Sequence, residues 1–254
     1  MDENEDYVIK VLESLNCHVV KIPESQIDGQ SSPDFSVNLL NDQYVIELKT
    51  KNMSKNAYDA IYADIDTHGV CTNSVILERE NRYSKVISKA KNQLKSYRID
   101  DFSFKIIWLH SIGAHSYNHM EQFKQALYGI KILVDFDYED GTRECYFFEQ
   151  SDFYRYRNII DGAILTRDGN LQFCLNPLSE NFEKLKKSSL VTSLDNSNQL
   201  DPLQLAKIDK IYYADNDMPR GDNTASLDYL REKYGYSNLM IMPMESVSAH
   251  TILS

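Results

Sequence analysis

The sequence has no continuous apolar run of about 18 residues, the length that a membrane-spanning helix requires. Its first residues, "MDENEDYVIK", are acidic and lack the basic and apolar regions of a secretory signal. The hydrophobic share of 42% and the charged share of 26% are ordinary for a soluble globular protein. We therefore expect a cytoplasmic protein that makes no contact with a membrane.

The sequence also lacks clustered cysteine. Its four cysteines, Cys17, Cys71, Cys145 and Cys174, are scattered and form no CxxC pair. This spacing argues against a zinc site or an iron–sulfur cluster. We interpret the cysteines as reduced thiols that are mostly buried.

Three histidines lie close together in the sequence and could suggest a metal triad. They are His110, His115 and His119. Two of them, His115 and His119, come before or at the start of a predicted helix. We expect surface or packing roles for them rather than metal binding.

An excess of positive charge is missing as well, because 27 basic residues stand against 38 acidic ones and give a net charge of −11. Nucleic-acid-binding proteins usually carry a basic surface. The charge is segregated, however: residues 82 to 98 hold six basic residues and no acid, whereas residues 135 to 152 hold seven acids and one arginine. A local basic face on an acidic protein is therefore compatible with the composition.

The hydrophobic pattern predicts both helices and strands, as in an α/β protein. The predicted elements of its core are a helix over 4–15, a strand over 17–23, a hairpin over 33–51 with its turn at Asn41-Asp42, a helix over 82–98 and a strand over 102–112. Residues 52–81 are an insertion that could form a lid or a substrate loop. We expect a core over 1–152 and a C-terminal extension or small α+β subdomain over 153–254, with a second hairpin that turns at Asp168-Gly169 and a candidate linker at 193–202.

Three charged side chains lie on the first hairpin, which is otherwise apolar. Side chains alternate along a strand, so Glu47 and Lys49 share one face, and Asp34 begins the partner strand. Two neighbouring carboxylates raise each other's pKa unless a cation lies between them. Oxygen ligands of this kind suit Mg²⁺ or Mn²⁺, and a nearby lysine can orient or deprotonate a water molecule. The alternative is a solvated strand face on which Lys49 forms a cross-strand ion pair with Asp34.

"PDF" followed by "ELK", with 13 positions from Asp34 to Glu47, resembles the signature of the PD-(D/E)xK nuclease superfamily. This superfamily includes restriction endonucleases, Holliday-junction resolvases and RecB-type exonucleases. The resemblance covers roughly residues 4 to 112 and implies a restriction endonuclease-like core, which is an α/β fold with a central mixed sheet flanked by helices. It also implies that Asp34 and Glu47 bind the metal and that Lys49 is the catalytic lysine.

Many members of this superfamily have a further glutamate on the helix before the hairpin. Glu5 and Glu13 are the candidates here, and we prefer Glu5 because it lies within the arc of Val8 and Leu12. The competing role for Glu5 is an acid that complements the helix dipole in the first turn.

"QLKSY", residues 93 to 97, resembles the QxxxY motif of RecB-type nucleases. Gln93 and Tyr97 are one helical turn apart on the apolar face, where they could hold the lysine or contact a phosphate. A helix-to-core hydrogen bond is the alternative for both. The nucleic-acid contacts that we predict are Lys51, Arg82, Lys85 and Lys89.

The resemblance thus implies a nuclease that uses Mg²⁺ or Mn²⁺ to hydrolyse phosphodiester bonds, and it favours DNA over RNA as the substrate. Defence, restriction and repair are the roles that such an activity would serve. The protein could act as a homodimer or with a larger helicase or ATPase. The alternative is a catalytically inactive nuclease-like module that binds nucleic acid or protein within a complex.

Overall fold

The chain is an α/β protein built around a mixed seven-stranded sheet, as seen in a computed structural model that describes residues 2–24, 31–77, 79–97, 103–136, 141–216, 222–243 and 245–250. Across the sheet, the strands follow the order His18–Lys21 (β1), Phe35–Leu39 (β2), Asp42–Asn52 (β3), Ser103–Ile112 (β5), Gly162–Arg167 (β8), Asn170–Leu175 (β9) and Gln199–Leu200 (β10). The strands β3, β5 and β8 are parallel to one another, and β1, β2 and β9 add to them in antiparallel pairs.

The central strands are apolar because helices cover both faces of the sheet. In β5, the run from Ile106 to Leu109 is completely buried. Continuous apolar runs of this kind are typical of parallel strands in the middle of a covered sheet.

The helices form a layer on each side of the central sheet. One layer contains Asn81–Ser96 (α3), Ser116–Tyr128 (α4) and Asp152–Arg155 (α5), and the other contains Glu3–Ser14 (α1), Phe182–Lys186 (α6) and Ser189–Thr192 (α7). Three further helices are Lys55–His68 (α2), Pro202–Lys207 (α8) and Asn223–Tyr234 (α9), and Asn196–Asn198 forms a 3₁₀ turn.

Two smaller sheets accompany the central one. The four-stranded sheet has the order Tyr212–Tyr213 (β11), Thr142–Tyr146 (β7), Lys131–Asp135 (β6) and Leu239–Met242 (β12), and the two-stranded sheet pairs Glu245–His250 (β13) with Cys71–Ile76 (β4). Leu230 of α9 and Leu133 of β6 belong to one small core with Tyr212. No described helix has the length and apolar character needed to cross a membrane.

Local sequence signals account for the ends of the elements. The first helix begins with a capping box, in which Asp2 accepts from the backbone of the first turn and Glu5 reaches back to the Asp2 amide. The fourth helix ends at Gly129, which has a φ of 62°, and a Cβ there would lie 2.4 Å from the carbonyl oxygen of Glu149. Only glycine fits this close approach.

The predicted hairpins are present, with one correction. The second hairpin turns at Asp168-Gly169, as the sequence predicts. The first turns at Leu40-Asn41 instead of Asn41-Asp42, because the register pairs Leu39 with Asp42. Leu40 takes the left-handed conformation, with a φ of 52°, and its side chain is exposed, so the apolar residue was a misleading signal.

The structure of the C-terminal half of the chain differs from the sequence predictions more than that of the N-terminal half does. The segment 193–202 is not a linker, because it contains β10, which pairs with β9 in the central sheet. The domain boundary expected at residue 152 does not separate two sheets either, because β8, which follows residue 152, pairs with β5, which precedes it. The insertion 52–81 contains a helix, α2, whose Ile61 and Ile65 are buried, and a strand, β4.

Candidate active site

The first hairpin brings Asp34 and Glu47 together by its register. Phe35 lies opposite Ile46, so the next position places Asp34 opposite Glu47, where β2 begins. The amide of Asp34 donates to the carbonyl oxygen of Ile46 at 3.2 Å. Its carboxylate oxygen Oδ2 accepts from the amide of Leu48 at 2.7 Å, which fixes the side chain against β3.

Glu47 is a buried acid, with none of its surface exposed. Its Oε1 accepts from the ammonium group of Lys49, while Oε2 is buried and has no hydrogen-bond partner among the residues that the structure describes. Burial, together with the nearby Asp34 carboxylate, raises the pKa of Glu47 to about 8. Burial also raises the pKa of Asp34, against the hydrogen bond from Leu48. Lys49 lowers both pKa values, but its single positive charge does not offset the burial of the two carboxylates.

Lys49 lies between Glu47 and the helix α3. Its Nζ also donates to Oε1 of Gln93 at 2.9 Å, and the Gln93 amide donates in turn to the carbonyl oxygen of Ser32 at 3.2 Å. The side chain of Lys49 is 23% exposed, so most of it is buried against the protein while part of it remains in contact with solvent. The amide of Gln93 thus positions the lysine beside the buried acid.

A cavity of about 260 Å³ opens beside this group, and Glu5, Asp34 and Gln93 line it. The Glu5 carboxylate accepts from Nζ of Lys21 at 2.6 Å and from the Asp2 amide at 3.3 Å. Glu5 therefore caps α1 and also borders the cavity. Sequence reasoning missed Lys21, since its contact with Glu5 spans 16 residues and no local pattern signals it.

Two of the sequence candidates do not join the group. Glu13 is exposed further along α1. The helix α3 ends at Ser96, and Tyr97 has an extended backbone and packs, half-buried, against the core that includes Leu94. The helix therefore ends before residue 98, where the sequence predicts its end, and Tyr97 contacts the core from the end of the helix, so its role in the site stays a prediction.

The basic side chains that we predict as nucleic-acid contacts lie along α3 and β3. Arg82, Lys85 and Lys89 are exposed on one face of α3, the face that also carries Gln93. Arg82 is paired with Glu80. Lys51 is half-buried on β3, and it follows Lys49 on the same face of the strand. Arg98, the last residue of the basic run, lies outside the described residues.

The three histidines are not arranged as a triad. His110 is buried and stacks on Tyr7 with ring centroids 4.3 Å apart, and its Nδ1 lies 3.0 Å from Oγ1 of Thr166. His115 and His119 belong to the beginning of α4 and line a second cavity. Over the described part of the chain, no group of three or more His, Cys, Asp or Glu side chains is arranged to hold a metal ion.

Comparisons of the chain with protein-family models, with curated proteins and with solved structures each found no match. The chemistry of the site is therefore the basis on which a function can be assigned.

Proposed function

We propose that the protein is a divalent-metal-dependent nuclease with a restriction endonuclease-like core, and that Asp34, Glu47 and Lys49 form its active site. The observation that carries the proposal is the buried, unpartnered Oε2 of Glu47 beside a second carboxylate and a lysine. A buried carboxyl oxygen without a partner is costly, and functional sites are where such costs are often retained.

The donor set fits a hard cation. Two carboxylates with raised pKa values gain stability when a cation neutralises them, and Mg²⁺ or Mn²⁺ is commonly held by one or two carboxylates while water and phosphate oxygens complete the shell. Asp34 and Glu47 would hold the ion, and Glu5 faces the same cavity. When bound, such an ion polarises a phosphate oxygen and acidifies a water molecule.

Lys49 supplies the positive charge that this chain holds at the reacting centre. Its ammonium group can orient the attacking water or stabilise the negative charge that develops on the phosphate oxygens. Gln93 keeps the ammonium group in place, because its amide is itself fixed by the carbonyl oxygen of Ser32. The substrate that we propose is nucleic acid, and DNA is preferred on the family resemblance.

The test is an incubation of the purified chain with plasmid DNA, linear DNA and RNA, in Mg²⁺, Mn²⁺ or EDTA. We expect cleavage in either metal and none in EDTA, and Asp34→Ala and Lys49→Ala should each lower the rate by a factor of about 10² or more. Lys10→Ala and Glu13→Ala, which alter exposed residues of α1, are the matched controls.

Cleavage in EDTA, or full activity in Asp34→Ala and Lys49→Ala, would contradict the mechanism. Metal-independent binding of nucleic acid with no cleavage by the wild-type chain would instead favour the inactive binding module.

A further inference from the structure

A second cavity, of about 300 Å³, lies at the carboxyl end of β3. The first turns of α2, α3 and α4 form its other walls, so that helix α2 of the insertion closes one side. Lys51 contributes to the cavity from the same face of β3 that carries Lys49. Two positions along an extended strand span about 6.8 Å, so the cavity begins a short step from the proposed active site.

The cavity contains buried polar atoms that lack partners. Asn118 and His119 line it and are 4% and 8% exposed. Within the described ranges, neither Oδ1 of Asn118 nor Nδ1 of His119 has a hydrogen-bond partner. Burial, with the positive charges of Lys51 and Arg82 nearby, lowers the pKa of His119 to about 4, so its ring is neutral at pH 7. A neutral amide and a neutral imidazole are suited to hydrogen bonding with uncharged groups.

The same cavity also carries positive charge. Lys51 and Arg82 both line it, and Arg82 donates to Oε1 of Gln122 at 3.2 Å, which holds the guanidinium at the wall. Arg82 is already paired with Glu80, so the anion would mainly be bound by Lys51. An anion alone would satisfy Lys51 but would offer no hydrogen to the carbonyl oxygen of Asn118. A nucleotide has both parts, because its phosphate is an anion and its base carries N–H donors and ring acceptors.

We propose that this second cavity binds one unpaired nucleotide of the substrate strand, with its base against Asn118 and His119 and its phosphate near Lys51 and Arg82. The inference rests on the proposed nuclease function and specifies its substrate class. A base that is paired and stacked within a duplex cannot enter a cavity between three helices and a strand, so the nucleotide must be unpaired. The preferred substrates are single strands and duplexes with single-stranded tails.

The test measures binding in EDTA by fluorescence anisotropy, so that it does not depend on cleavage. The probes are a blunt DNA duplex, the same duplex with a single-stranded tail, and the tailed duplex with abasic sites in the tail. Ala57 is half-buried at the cavity wall on α2, and Ala57→Trp fills the cavity without removing a buried polar group. Ala63→Trp places the same side chain at an exposed position of α2 outside the cavity, as the matched control.

We expect the wild-type chain and Ala63→Trp to bind the tailed duplex about tenfold more tightly than the blunt or abasic probe. Ala57→Trp should lose this preference while its affinity for the blunt duplex stays within about twofold. Circular dichroism of both variants checks that each is folded.

A preference that survives in Ala57→Trp, an abasic tail that binds as tightly as the native tail, or equal binding of the tailed and blunt probes by the wild-type chain would overturn the proposal. Failure of the nuclease function has a different signature, since it abolishes metal-dependent cleavage of every probe without altering the comparison between Ala57→Trp and Ala63→Trp.

Discussion

Glu47 is a costly side chain for this fold, because it is an acid with no exposed surface and one oxygen without a hydrogen-bond partner among the described residues. Its pKa of about 8 in the folded chain exceeds its ordinary value of 4.5. The folded state therefore binds a proton more tightly than the unfolded state, and stability should fall as the pH rises from about 4.5 to about 8. In the proposed enzyme, a metal ion relieves the same cost.

Replacing Glu47 by glutamine should remove this dependence on pH. We expect Glu47→Gln to be more stable than the wild-type chain in EDTA at pH 8, by on the order of 2 kcal/mol, and to lose most of that advantage at pH 5. Urea unfolding at the two pH values measures the difference, with the exposed Glu13→Gln as the control. An advantage that is equal at both pH values would show that burial of the charge is not its cause.

Gln93 should act on catalysis through Lys49. Its Oε1 lies 2.9 Å from the lysine Nζ, so Gln93→Ala frees the ammonium group from α3. We expect kcat to fall by a factor of about 10 to 10² with little change in KM, because a small displacement of a catalytic group is costly. Steady-state cleavage kinetics measure the effect, and the exposed neighbour Asn92→Ala serves as the control. A change confined to KM would assign Gln93 to substrate binding instead.

At the scale of elements, only part of the hairpin geometry could be predicted from sequence. Side-chain alternation puts Glu47 and Lys49 on one face, and this rule is local. The register that puts Asp34 opposite Glu47 depends on the turn at Leu40-Asn41, and the predicted turn at Asn41-Asp42 would have put Asp34 opposite Lys49 instead. The contact of Lys21 with Glu5 depends on tertiary packing, and no local sequence pattern indicates it. The sequence did not indicate the end of α3 at Ser96 either, because the apolar spacing continues to Tyr97 while the backbone becomes extended.

The face of α3 that leads from Gln93 to Arg82 carries Lys85 and Lys89, both exposed. If they contact phosphates, each contact releases about one counterion on binding. We expect the double variant Lys85→Ala/Lys89→Ala to weaken binding equally for all sequences and to reduce the slope of log K against log salt by about two. Lys95→Ala, at an exposed position on the opposite side of α3, should leave the slope unchanged.

At the scale of the whole molecule, the protein has an excess of acidic residues and yet is proposed to bind nucleic acid. The positions of the charges make both compatible. The net charge of −11 disfavours nonspecific association with nucleic acid, whereas the basic face of α3 lies beside the proposed site. A binding surface of this kind depends strongly on ionic strength, because the rest of the protein repels the phosphate backbone.

The number of strands in the central sheet is the feature that the sequence indicated least. The sequence pattern assigns the hairpin over 162–175 to a C-terminal extension and residues 199–200 to a linker, yet both join the central sheet as strands β8 to β10. Strand order depends on contacts between distant segments, and β8 lies beside β5 although some 50 residues separate them. Hydrophobic periodicity reports which residues are buried and carries no information about which strand is the neighbour.

The pairing of β8 with β5 predicts how the chain responds to truncation. A fragment of residues 1–152 would leave β5 at an open edge and would remove Leu165 and Phe173 from the two cores that cover the sheet. We expect it to unfold without a cooperative transition in urea. Among the residues that the structure describes, a fragment of residues 1–243 loses only β13, the partner of β4 in the two-stranded sheet, and should retain a cooperative transition. A cooperative, soluble 1–152 fragment would mean that the first half of the chain is an independent domain, against the continuity of the sheet.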